Sequence, residues 1–363
     1  MSLARRWMVP FAALAAALAS VPLCAAPCVE PVSACTELVS LAGVAGRLLV
    51  YRNYPLEARN ESIVRAVVVV HGLSRDADNY YRSALAAGFL AGVLDDTLIV
   101  VPRFAAGSGH GDNCRDKLAP DEISWACTGT EQWKNGGHAV TESTVTSFDA
   151  LDQVVRSLAG REIFPNLKSV TVAGHSAGGQ FTSRYAMANR IHEAMPWPVS
   201  YVVMNPSSYT YPDNLRPTIA AMQARYPALA PGYEPVPKPS QAAFVKFADA
   251  KQCTGYDDWP YGMERRSGYV ASIAEPDLRR QLIARPVTYL LGELDILPLY
   301  GFDSSCSAMA QGPTRLARGI AYAKYVDEVL GAHHRVVIVP ACGHNARCML
   351  GSDASLPVLF PKN

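Results

Sequence analysis

The stretch Val170 to Gly179, Val-Thr-Val-Ala-Gly-His-Ser-Ala-Gly-Gly, constrains the fold more than any other part of the chain. Its first three residues are β-branched and suit a buried strand. Gln180 to Arg190 instead spaces Phe181, Tyr185 and Ala188 along one helical face, so the chain must turn sharply from strand to helix between the two. Gly-x-Ser-x-Gly fills that corner, with Ser176 at its apex. A turn this tight brings strand and helix so close that positions two before and two after the apex must be small, and Gly174 and Gly178 meet that demand. The corner projects the serine hydroxyl and leaves the Ala177 amide at a helix N-terminus, where a developing oxyanion is stabilised. Taken alone, the pentapeptide also fits a glycine-rich turn with a surface serine. The rest of the chain decides between them.

Ala66 to Val70 has no polar alternation, as expected of a central parallel strand covered on both faces. It ends in His71-Gly72-Leu73, where the glycine lets the chain pass under the nucleophile and the Leu73 amide is the candidate second oxyanion donor. Further strands are expected at Thr97 to Pro102, Pro198 to Met204, Pro286 to Leu291 and Arg335 to Val339. Helical patterns run over Asp76 to Gly92, Ser147 to Leu158 and Thr314 to Leu330. Leu38 to Leu41 and Arg47 to Tyr51 read as an opening antiparallel pair at the sheet edge. Alternating strands and helices predict an α/β fold with a mostly parallel central sheet and helices on both faces. Between Thr210 and Ala284 the composition shifts to Pro, Tyr and polar residues. That segment is the candidate inserted cap, residues 210–284, dividing a core of residues 27–209 and 285–363. Tyr226, Tyr233, Tyr256, Trp259, Tyr261 and Tyr269 are available either to wall a pocket or to pack the cap onto the body.

Ser176, Asp295 and His344 follow one another as nucleophile, acid and base, each just beyond the C-terminal end of an expected strand. In a parallel sheet those ends share one edge, so distant residues can meet there. His344 would take the serine proton and return it to the leaving group, while Asp295 holds the imidazole tautomer. Glu293 competes for the acid role, but Asp295 is favoured by its later position after Gly292. The strand ending at Met204 is followed by Asn205-Pro206-Ser207-Ser208 and offers no carboxylate. His175 is expected to pack or hydrogen-bond near the corner, and His333 with His334 to form a solvent-facing turn. His110, Asp112 and His138 lack the close, repeated spacing of metal ligands, and no metal or organic cofactor is expected.

Together these features resemble the α/β-hydrolase superfamily over most of residues 38 to 360. Carried over by position, Gly174-His175-Ser176-Ala177-Gly178 is similar to the nucleophile elbow, Asp295 to the acid, His344 to the base and His71-Gly72-Leu73 to the oxyanion strand end. The chain looks like secreted, disulfide-bonded hydrolases of unassigned substrate. It departs from the lipase and esterase branch with His-Gly-Gly-Gly, having a single glycine after His71, so that branch's substrate rules do not transfer.

Composition narrows the function classes. Lys plus Arg, 33, nearly cancels Asp plus Glu, 32, and no basic stripe interleaves with aromatics, which removes the electrostatic case for nucleic acid. Arg5-Arg6, an apolar run from Trp7 to Ala19 and small residues at Ser20 and Ala25-Ala26 give residues 1–26 the layout of a secretory signal peptide. Pro10 and Pro22 interrupt it too often for a stable membrane span. Removing Cys24 leaves an even set of cysteines, consistent with disulfides in a secreted or periplasmic protein. Proximity pairs Cys28 with Cys35, Cys114 with Cys127, Cys253 with Cys306 and Cys342 with Cys348, although sequence leaves the connectivity open. The expected activity is hydrolysis of a small-molecule or polymeric carboxylic ester through an acyl-enzyme. A serine exopeptidase, a polyester depolymerase and a non-catalytic binding protein on the same scaffold remain alternatives.

Overall fold

The computed structural model describes residues 26–108, 113–218 and 241–362. Residues 1–25 of the expected leader, His110, Asp112, Tyr226 and Tyr233 lie outside them. The sheet has eight strands: β1 (Thr36–Ser40), β2 (Arg47–Arg52), β3 (Arg65–Val70), β4 (Thr97–Pro102), β5 (Ser169–His175), β6 (Val199–Met204), β9 (Val287–Gly292) and β10 (Arg335–Val339). Their spatial order is β1-β2-β4-β3-β5-β6-β9-β10. The β1–β2 and β2–β4 pairs are antiparallel and all others parallel, so the opening hairpin forms the edge as expected. Two short strands, β7 (Leu215–Pro217) and β8 (Phe244–Lys246), pair separately.

Period-two alternation buries both faces of β3. Ala66, Val68 and Val70 join one apolar cluster with Phe148, Leu151, Phe181, Tyr185 and Tyr322, while Val67 and Val69 join the other with Tyr80, Tyr81, Met349 and Leu359. The first face is thus covered by α2 (Ser147–Ser157), α3 (Ala177–Ala188) and α6 (Arg315–Glu328), and the second by α1 (Ala77–Leu90), α7 (Ala346–Gly351) and α8 (Leu356–Leu359). Thr146 starts α2 with a reciprocal capping box, accepting from the Asp149 amide and receiving the Asp149 carboxylate at its own. The remaining helices, α4 (Glu275–Ala284) and α5 (Cys306–Met309), flank β9 in sequence. No helix of the described residues is long and apolar enough to cross a membrane.

The loop between β4 and α2 is fastened by the Cys114–Cys127 disulfide and by Arg103, which pairs with buried Glu122 at 2.6 Å. Trp125 and Trp133 are buried within it, and Trp133 stacks on Phe104 with centroids 5.6 Å apart. In the segment expected to be a cap, Trp259 donates from Nε1 to the Asn135 carbonyl at 3.0 Å, and Tyr269 packs on Phe148. These two aromatics fasten the segment to the body rather than wall a pocket.

Candidate active site

Where β5 turns into α3, Ser176 has φ 60° and ψ −118°, a conformation that costs an L-residue on the order of 1–3 kcal/mol and persists only where its surroundings enforce it. The enforcement is steric and local. A Cβ on Gly174 would overlap the Gly178 carbonyl, and one on Gly178 would overlap the carbonyls of Val70 and His71. Strand, helix and the end of β3 therefore touch backbone to backbone. The Ser176 amide donates to the Met204 carbonyl at 2.9 Å, fixing the corner against β6.

The sheet then brings the three expected residues together. His344 Nε2 lies 2.9 Å from Ser176 Oγ, and His344 Nδ1 lies 2.8 Å from Asp295 Oδ2. Asp295 is 1% exposed, and Arg315 at the start of α6 faces its second oxygen at 3.4 Å. Arg315 also donates to Ser207 Oγ and to the carbonyls of Leu299 and Tyr300, which holds the acid's loop in place. The rival, Glu293, is exposed and accepts from the Ala341 amide at 2.9 Å, whereas the partner of His344 Nδ1 is Asp295. Asn205 bridges acid and base loops: its Oδ1 accepts from the Gly292 amide at 2.8 Å and its Nδ2 donates to the Gly343 carbonyl at 3.1 Å. The Cys342–Cys348 disulfide brackets His344. With Nδ1–H donated to the carboxylate, Nε2 is free to accept the serine proton.

On the other side of Ser176, the end of β3 is held by three aromatic groups. His71 donates from Nδ1 to the Gly72 carbonyl and accepts at Nε2 from the Phe104 amide, both at 2.9 Å, and burial pushes its pKa down to about 4, so it remains neutral. Tyr80 Oη lies 2.9 Å from His175 Nδ1, and a Cβ on Gly72 would overlap that hydroxyl, so the tyrosine packs against the end of β3. His175 is buried, with its pKa held well below the usual histidine value by desolvation and then by His344 and Arg315 nearby. Its ring centroid is 4.8 Å from that of His344, so a neutral imidazole backs the base. A Cβ on Gly72 would stand 3.7 Å from Ser176 Cβ, so the end of β3 passes close to the nucleophile. Neither the Leu73 nor the Ala177 amide donates to another group among the described residues.

Sequence reasoning missed Tyr80, Asn205 and Arg315. Only Asn205 carried a signal, as a polar residue closing a buried strand. His334 corrects the expected solvent-facing turn: it is half-buried, bonded to Tyr289 Oη at 3.0 Å and to the Leu282 carbonyl at 2.9 Å, while His333 is exposed. Burial lowers the His334 pKa to about 4. His138 is exposed and pairs with Glu131 at 2.9 Å, and no group of three or more potential metal ligands occurs among the described residues. The structure joins all four cysteine pairs expected from proximity.

The fold is shared with proteins of known structure. LpqC, a poly(3-hydroxybutyrate) depolymerase from Bordetella parapertussis, superposes with a TM-score of 0.56 at 20% identity, over 90% of this chain and 89% of that one. Poly(aspartic acid) hydrolase-1 from Sphingomonas sp. KT-1 gives 0.55 at 21% identity, over 86% of this chain and 94% of that one. No curated protein matches the sequence. The model of the alpha/beta hydrolase family matches residues 67–356, well over half of the chain. The chain belongs to the alpha/beta hydrolase family.

Proposed function

We propose that this protein is an exported serine hydrolase that cleaves carboxylic esters through an acyl-enzyme on Ser176. The observation that carries this reading is His344, set between Ser176 Oγ at 2.9 Å and Asp295 Oδ2 at 2.8 Å. As the serine oxygen attacks the ester carbonyl, its proton passes to Nε2 and the imidazolium is stabilised by Asp295. The carbonyl oxygen, now negative, is met by the Leu73 and Ala177 amides. His344 then protonates the departing alcohol, and a water deprotonated by the same nitrogen releases the acid and restores the serine. Four disulfides support a location outside the cytoplasm, secreted or periplasmic.

An exopeptidase acting at the amino terminus would need a free carboxylate to receive the peptide's terminal amine. The acids nearest that role are already engaged: Asp257 pairs with Arg216 at 3.2 Å, Asp258 pairs with Arg265, and Glu293 holds the Ala341 amide. A polymeric ester is a second reading, favoured by exposed Leu73, Leu294, Leu299 and Tyr300 on the loops that carry the oxyanion turn and the acid.

The test is hydrolysis of p-nitrophenyl esters from acetate to palmitate by oxidised protein, with Ser176→Ala as control. Activity reduced by about 10⁴-fold or more in the variant supports the reading. Folded wild-type protein inactive on every ester would remove it.

A further inference from the structure

Two cations at the nucleophile helix, Lys134 and Arg184, have no carboxylate within 4.0 Å of either among the described residues. Lys134 sits in a short turn, Trp133–Asn135, anchored by the buried Trp133 ring 4.7 Å from His71. Its ammonium donates to Gln180 Oε1 at 3.2 Å, one of its three N–H bonds. Gln180 lies one helical turn, about 6 Å, from Ser176 on the nucleophile helix. Behind it, Arg184 donates to Asn135 Oδ1 at 3.1 Å and to Ser208 Oγ at 3.3 Å and is 1% exposed.

Only neutral oxygens meet these two positive charges at hydrogen-bond distance. Lys134 is pushed down to about 8, first by burial and then by Arg184. Arg184 is likewise lowered, to about 10, by its burial. Asp303 is the nearest opposing charge, bearing on both, but its carboxylate is taken up by Tyr261 Oη at 2.7 Å and the Ser305 amide at 3.1 Å. Desolvating two like charges is costly, and joining a turn to a helix needs only neutral donors. The cations outnumber Asp303 by one, and Lys134 remains partly open to solvent while Arg184 is sealed behind it. A lysine that keeps partial exposure and a local excess of one positive charge suit a monoanion rather than a phosphate dianion.

We propose that Lys134, backed by Arg184, receives a free carboxylate on the substrate, so that the preferred esters carry an acid group in addition to the scissile bond. This rests on the ester-hydrolase reading. Two sources share that chemistry: a half-ester of a dicarboxylic acid, with the carboxylate on the acyl side, and an acyloxy acid such as the end of a hydroxy-acid oligomer, with it on the alcohol side.

The experiment compares kcat/KM at pH 7 for two matched pairs: monoethyl adipate against its monoamide ethyl ester, and 4-acetoxybutanoic acid against 4-acetoxybutanamide. A preference of about tenfold or more for the acid in either pair is expected, and the pair that shows it identifies the source. Lys134→Met should collapse that preference mainly through KM, and Lys134→Arg should restore most of it. Hydrolysis of all four esters with no acid preference overturns the carboxylate site and leaves the ester reading standing. Failure to hydrolyse any of them, or any p-nitrophenyl ester, removes both. If Lys134→Met does not fold, an acid preference unchanged in Lys134→Gln also overturns the assignment.

Discussion

Asp152 on α2 is buried and accepts from Tyr185 Oη at 2.7 Å and from Tyr269 Oη at 2.6 Å, tying α2 to α3 and to the segment that precedes α4. Burial raises its pKa to about 6 in spite of these two donors. Against an unfolded value of about 4, a shift of roughly 2 units corresponds to about 3 kcal/mol. The sign follows from linkage: the folded state holds the proton more tightly than the unfolded chain. This contribution is therefore complete below the unfolded pKa of about 4 and is lost as pH rises through about 6. Asp116, Glu131 and Glu193 have lowered pKa values and act with the opposite sign, so the wild-type curve alone would mix the effects. The difference between wild type and Asp152→Asn isolates the one group. Urea unfolding of both proteins, oxidised, between pH 3 and pH 8 should show wild type losing about 3 kcal/mol relative to the variant, with most of the change between pH 4 and 6. A difference that stays flat with pH, or in which wild type gains on the variant as pH rises, would refute the reasoning.

Three further outcomes follow from the same contacts. Tyr80→Phe removes the hydroxyl that packs on Gly72 and bonds His175, and should lower kcat about tenfold with little change in KM, since it loosens the proposed oxyanion turn rather than a substrate contact; an unchanged kcat would contradict that positioning role. Asn205→Ala strands the Gly292 amide and the Gly343 carbonyl and places alanine at φ 46°, so unfolding free energy should fall by about 3 kcal/mol, measured in urea, with activity reduced in the folded fraction. Replacing both Cys253 and Cys306 by serine opens a 53-residue separation and should cost about 4 kcal/mol, against about 2 for Cys342 and Cys348. Equal losses in the two double variants would show that loop length does not govern the effect.

What could be read from the sequence was whatever local chemistry enforces. The corner at Ser176 was legible because only glycine at 174 and 178 lets strand and helix meet, and β3, β4 and β9 were legible because both their faces are buried. The meeting of Ser176, Asp295 and His344 was foreseeable because a parallel sheet gathers its strand ends along one edge. Arg315 and Asn205 were not legible as supports, because they act across the fold: Asn205 touches Gly292 and Gly343, 87 and 138 residues later. Lys134 escaped notice for a similar reason, since a lysine in a polar loop gives no sign that folding will set it against Gln180. His334 was misread because adjacent residues entering a strand face opposite ways, so one exposed histidine said nothing about its neighbour. Trp259 and Tyr269 were open to two readings until Asn135 and Asp152 were found bonded to them.

The most direct test of the central claim is where a fluorophosphonate becomes attached. Intact mass and peptide mapping of the oxidised protein should show one adduct, on the peptide containing Ser176, with esterase activity falling in step with labelling. Ser176→Ala should be folded, unlabelled and inactive. An adduct on another residue, or an unlabelled wild-type protein that still hydrolyses esters, would contradict a mechanism through Ser176.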